Sequence, residues 1–147
     1  MKLIMYVDGG CINNHDKNKV NEAYGSFKVI EELEDEQKVL ATCKLNFGEF
    51  TNNEAEYLAI YYGIMFIYSI ISEKVCRNLD GPVTALIYTD SQLVVNQVWG
   101  DWEVKESRLE PFCQMVKEVV EISTVNDAVI INAKWVERAQ IEKELGH

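Results

Sequence analysis

The chain has 147 residues, 48% of them hydrophobic and only two of them proline. This suits one domain with a buried core and excludes a disordered or repetitive protein. Its formal net charge of -10 argues against a protein that grips nucleic acid through broad basic patches. The four cysteines, Cys11, Cys43, Cys76 and Cys113, are spaced for neither a zinc site nor a compact disulfide framework, and read as free thiols of a reducing, cytoplasmic compartment.

Residues 2–7 are short and apolar and are followed by Asp8, Gly9 and Gly10, so a first strand is predicted to end there in a tight loop. The apolar run is too short for a signal peptide. Residues 23–30 and 39–47 read as two further strands. The acidic run between them, Glu31, Glu32, Glu34, Asp35 and Glu36, suits the solvated tip of an antiparallel hairpin. A helix is predicted over residues 51–72, because Thr51 and Glu54 form the Thr-x-x-Glu pattern of a capping box. The uncharged stretch 58–71 is 14 residues long, below the roughly 18 to 20 needed to span a bilayer, so a buried core helix is expected and no membrane partner.

Residues 76–82 form a polar connection ending in Asp-Gly-Pro. Residues 84–89 then read as a strand, 91–99 and 107–122 as helices, 128–136 as a last strand, and the remainder through 145 as a final helix. Three consecutive strands followed by helices and two more strands point to a mixed α/β sheet with helices on its faces, in a single domain over residues 1–147.

Three carboxylates stand where elements begin or end: Asp8, Glu56 and Asp90. A divalent ion that works on phosphate needs hard oxygen ligands on rigid elements, and this placement suggests the metal cradle of a nuclease. The choice of Glu56 over Glu54 follows from chemistry. Glu54 is occupied by the capping box, whereas Glu56 sits among Ala55, Tyr57, Leu58 and Ala59, where a carboxylate loses solvation unless a cation offsets it.

The ordered set of Asp8-Gly9-Gly10, Tyr24-Gly25, TNNEAEY at residues 51–57, TDSQLVV at residues 89–95 and Trp135-Val136-x-Arg138 resembles the type 1 ribonuclease H family, in the short form that lacks a basic protrusion. The resemblance covers nearly the whole chain. It implies a ribonuclease H-like mixed five-stranded sheet and a monomeric endonuclease that hydrolyses the RNA strand of RNA/DNA hybrids. Two Mg2+ ions, with Mn2+ as a substitute, would serve the reaction, leaving 5'-phosphate and 3'-hydroxyl ends. Asp8, Glu56 and Asp90 match the family's catalytic metal ligands. A fourth acidic ligand is expected in the last helix. Matching Gln140 to the family's asparagine selects Glu144, with one residue deleted after Arg138, while strict counting from Arg138 reaches Leu145, which cannot ligate; Glu142 and His147 stay open.

By the same resemblance, Gly9, Gly10 and Cys11 lie along the RNA strand, where the 2'-hydroxyl is read. Thr51, Asn52, Asn53 and Gln92 match groove and phosphate contacts, although Thr51 explains itself as an N-cap. Arg138 and Lys134 are candidate phosphate contacts. Trp99 reads as a core residue, and His15 as a loop residue. Two other readings are a catalytically weak or inactive hybrid-binding module of the same fold and another nuclease of the superfamily, since fold does not fix function.

Overall fold

A computed structural model describes residues 1–13, 16, 18–76, 81–125 and 129–146; His15, His147, Ala128 and most of the predicted 76–82 connection lie outside the described residues. The elements in chain order are β1 (Lys2–Ile12), β2 (Glu22–Glu32), β3 (Gln37–Gly48), α1 (Asn52–Cys76), β4 (Val83–Thr89), α2 (Gln92–Val98), a 3-10 turn (Ser107–Leu109), α3 (Glu110–Val125), β5 (Val129–Trp135) and α4 (Arg138–Leu145). The strands form one five-stranded sheet in the order β3-β2-β1-β4-β5. β1, β2 and β3 are an antiparallel meander, and β4 and β5 add in parallel to β1. This is the mixed sheet that the element order predicts. The acidic run turns the β2–β3 hairpin, where the Leu33 N–H donates to the Glu36 carbonyl at 2.9 Å.

Side chains alternate across β1 with a period of two. Leu3, Met5 and Val7 are buried in the core against α1, while Tyr6 and Asp8 point to the other face, which α4 covers. On α1, Tyr57, Ile60, Ile64, Ile67 and Ile71 recur at spacings of three and four and are buried, so one stripe of the helix faces the sheet. Each fully buried aliphatic side chain contributes about 1.5–3 kcal/mol. By length and composition the stretch Asn52–Glu73 is apolar enough to cross a membrane. In this fold it is the central helix over the sheet, with Tyr62 and Met65 left exposed.

One expectation is corrected. The Asp8-Gly9-Gly10 segment is not a loop; it continues β1 to Ile12, paired residue for residue with Ser26, Gly25 and Tyr24 of β2. Gly9 is required here by close approach, because a Cβ would collide with the Ala55 carbonyl of α1 and lie 2.7 Å from the Glu56 Cα. The glycine is therefore the seat of the helix as well as a neighbour of the site.

Candidate functional site

β1 and β4 run parallel with Tyr6 opposite Tyr88, and the two rings stack at 5.3 Å. Two residues further along each chain, and on the same face, stand Asp8 and Asp90. The parallel register thus brings these carboxylates level, although 82 residues separate them in sequence. Asp8 is 4% exposed. Asp90 is set just past the end of β4, where the Trp135 Nε1–H donates to its carbonyl at 3.2 Å and the Val136 N–H donates to the Thr89 carbonyl at 2.9 Å. The strand end is therefore anchored from β5 and the residue after it.

Glu56 reaches the same place from the first turns of α1, seated on Gly9. The capping box is formed as expected: the Thr51 N–H donates to Glu54 Oε1 at 2.8 Å and the Glu54 N–H donates to Thr51 Oγ1 at 3.3 Å. Arg108 adds an ion pair to Glu54 at 3.9 Å. Glu54 is thus fully engaged in local structure. Glu56 instead accepts a hydrogen bond from the Ser91 hydroxyl at 2.7 Å. Burial, and secondarily the charges of Asp90 and Asp8, push its carboxyl up from 4.5 to about 7, against the opposing effects of the Ser91 hydrogen bond and Arg138.

Ser91 is a site residue that the sequence reading did not single out. It is the N-cap of α2: its hydroxyl accepts from the Val94 N–H at 3.3 Å, and its own N–H donates to Thr89 Oγ1 at 3.1 Å. The serine at the start of a short predicted helix carries the capping signal, but its bond to Glu56 joins residues 35 apart and has no local signature. Tyr24, a motif residue in the sequence with no site role assigned to it there, also faces the cluster. Burial and the neighbouring Asp8 raise its phenol pKa, while Arg138 opposes the shift through charge and a hydrogen bond.

Arg138, the first residue of α4, enters the cluster as a cation. Its Nη1–H donates to Asp90 Oδ2 at 3.2 Å and its Nε–H donates to Glu142 Oε1 at 3.0 Å. Burial by itself would lower its pKa, but Asp8, Asp90 and Glu142 raise it on balance. Glu144, expected as the fourth ligand, has a different partner: Lys28, at 3.6 Å. Lys28 pairs with Tyr6 across the sheet, one same-face step before Asp8. The α4 carboxylate linked to the cluster is Glu142, through Arg138, two residues before the one the family alignment selects. Gln140 hydrogen-bonds Tyr6.

Among the other candidate residues, Thr51, Asn52 and Asn53 open α1, and Gln92 is exposed at the start of α2. The Gln92 carbonyl accepts from Asn96 Nδ2 at 2.7 Å. Cys11 is half-buried near the end of β1, and its Sγ lies 3.3 Å from the Ile12 carbonyl. The described thiols Cys11, Cys43 and Cys113 are free. Trp99 is packed against the core, with its indole N–H donating to the Ile131 carbonyl at 3.1 Å. Trp102 and Lys105 line a separate cavity of about 600 Å³ with Asn53, Leu93 and Gln97.

The donor set suits a hard divalent cation: three carboxylates on a strand, a strand end and a helix start. The negative charge that Asp8 and Asp90 impose on Glu56 is the excess that such an ion would offset. In the present arrangement, however, no three Asp, Glu, His or Cys side chains among the described residues are gathered as a chelating group. The cation that the carboxylates share is the Arg138 guanidinium.

The sheet order, the helices that flank it and the carboxylates beside β1 and β4 define a ribonuclease H-like fold. The solved structures that resemble the chain include the RNase H1 protein isolated from compost, LC11-RNase H1 (TM-score 0.75, 23% identity, 98% of this chain and 91% of that one). They also include RNase H1 from the halophilic archaeon Halobacterium salinarum (TM-score 0.73, 20% identity, 97% and 90% coverage). The N-terminal RNase H domain of Rv2228c from Mycobacterium tuberculosis is similar as well (TM-score 0.69, 27% identity, 97% and 86% coverage). LC11-RNase H1 has also been solved in complex with an RNA/DNA hybrid (TM-score 0.71, 21% identity, 96% and 89% coverage). In sequence, the chain is 28% identical over 141 residues to the bifunctional protein Rv2228c of Mycobacterium tuberculosis, covering 95% of this chain and 32% of that protein. The chain therefore spans about a third of the length of the curated relatives it matches. No family model matches it.

Proposed function

We propose that this chain is a metal-dependent endoribonuclease that hydrolyses the RNA strand of RNA/DNA hybrids, leaving 5'-phosphate and 3'-hydroxyl ends. The observation that carries the reading is the convergence of Asp8, Asp90 and Glu56 from a strand, a strand end and a helix start. The structural neighbour solved with an RNA/DNA hybrid supports the choice of substrate. Asp8, Glu56 and Asp90 would hold two Mg2+ ions, or Mn2+ in their place. When bound, such ions activate water and stabilise the leaving oxygen of an in-line displacement.

The chain's own residues orient the site. Ser91 hydrogen-bonds the Glu56 carboxylate, and the Trp135 indole and the Val136 N–H anchor the backbone that carries Asp90. Gly9, Gly10, Cys11, Thr51, Asn52, Asn53, Gln92 and Arg138 supply the contacts to the hybrid. With its acidic charge the chain binds hybrid weakly and in a salt-sensitive way. We assign it to a monomer in a reducing, cytoplasmic setting.

The test is incubation of the protein with labelled RNA/DNA hybrid, duplex RNA and duplex DNA in Mg2+ or Mn2+, beside Asp8→Asn. Cleavage of the hybrid's RNA strand, lost in the variant, is expected. No cleavage under any metal condition refutes the enzyme. A second reading, a hybrid-binding module without activity, is favoured by the ion pair that engages Glu144 with Lys28; binding without cleavage would select it.

A further inference from the structure

Building on the metal reading above, we propose that Arg138 is a resident counter-ion that holds the carboxylates in a closed, metal-free arrangement. A divalent ion enters only as the guanidinium leaves Asp90, and Glu142 keeps the displaced arginine at the rim.

The geometry gives Arg138 two seats. One is Asp90, at 3.2 Å, whose side chain is 11% exposed; the other is Glu142, at 3.0 Å and 44% exposed. Arg138 itself is 62% exposed. Asp90 is the fixed partner, because its backbone is tied to Trp135. The guanidinium is the movable one, at the tip of a long side chain with its Glu142 seat on the solvent side. A cation at the first position of a helix opposes the helix dipole, so what Arg138 gains within α4 is the Glu142 side chain alone. The favourable charges acting on it are those of Asp8, Asp90 and Glu142.

A divalent ion and a guanidinium cannot both occupy Asp90 Oδ2, since like charges at contact distance repel. Two carboxylate partners, one inside the cluster and one outside, make a two-state element that a metal can bias. In the metal-free state the arginine partly neutralises Glu56 and Asp90. In the loaded state it is paired with Glu142 and faces solvent, where a phosphate oxygen could receive it.

The experiment is Mn2+ titration without nucleic acid, following free Mn2+ by electron paramagnetic resonance, for the wild-type chain, R138Q, E142Q and D8N. Removing the competing cation should tighten Mn2+ binding about two- to fivefold, the range set by a partly exposed ion pair. E142Q should weaken binding about two- to threefold, because the arginine then has only the Asp90 seat. D8N should abolish it. As an independent readout, Mg2+ should shift the Arg138 Nε–H resonance of the wild-type chain. Should R138Q fail to fold, R138K keeps the charge without the two-pronged geometry and should still bind Mn2+ more tightly than wild type.

If R138Q binds Mn2+ no more tightly than the wild-type chain while binding still depends on Asp8, the counter-ion role is overturned and the metal site stands. Mn2+ binding indifferent to Asp8→Asn overturns the metal site, and the counter-ion role with it.

Discussion

Glu56 is the residue on which the site's electrostatics can be measured without substrate. Its carboxyl is raised from 4.5 to about 7, first by burial and then by Asp90 and Asp8. In EDTA, the folded chain therefore holds a proton on Glu56 that the unfolded chain has already released. A raised carboxyl contributes its stability in full below the unfolded value, and that contribution is lost as pH rises through the folded value. Two and a half decades of proton affinity at about 1.4 kcal/mol each place the loss near 3 kcal/mol between pH 4.5 and 8. Glu56→Gln is neutral at every pH and keeps an acceptor for the Ser91 hydroxyl. Urea unfolding should therefore find the variant within about 0.5 kcal/mol of wild type near pH 4.5 and more stable by about 3 kcal/mol at pH 8. Mg2+ should close much of that gap at pH 8, because an ion on Glu56 replaces the missing proton. A stability difference between the two proteins that stays constant from pH 4.5 to 8 would refute the assignment of a buried, charge-crowded carboxylate.

Three further outcomes follow from the same contacts. Ser91→Ala removes the α2 cap and the hydroxyl bound to Glu56; it should cost about 1–2 kcal/mol in urea unfolding and raise the Glu56 titration midpoint seen by carboxyl NMR. Gly9→Ala drives a Cβ into the Ala55 carbonyl, so it should destabilise the fold by about 3 kcal/mol or more, read as a large drop in Tm or as insoluble protein. Glu144→Gln breaks a partly exposed pair with Lys28; stability should change by less than about 1 kcal/mol and Mn2+ affinity should be unaltered, whereas a tenfold loss of affinity would make Glu144 a ligand after all.

Much of this molecule is legible in its sequence. The hairpin, the capping box at Thr51 and Glu54 and the buried stripe of α1 are written within a few residues of one another. Capping bonds span three residues, helix faces repeat at three and four, and strand faces repeat at two. The capping box also separated Glu54 from Glu56 by giving the first a local task. The segment Asp8 to Gly10 reads as a loop in the sequence because a glycine pair usually marks a turn; in the fold Gly9 serves the approach of α1 to β1.

Only the tertiary structure decided which side chains meet. Asp8 and Asp90 are level because Tyr6 registers with Tyr88 across a parallel pair. Ser91 reaches Glu56 across 35 residues, Arg138 reaches Asp90 across 48, and Lys28 claims Glu144 across 116. Sheet register and helix packing set these encounters, and neither leaves a local pattern in the chain. The sequence by itself determined which carboxylates the protein owns and which of them is spare; the packing of α1 and α4 on the sheet determined that three converge, that Glu144 turns toward Lys28, and that Arg138 stands among them.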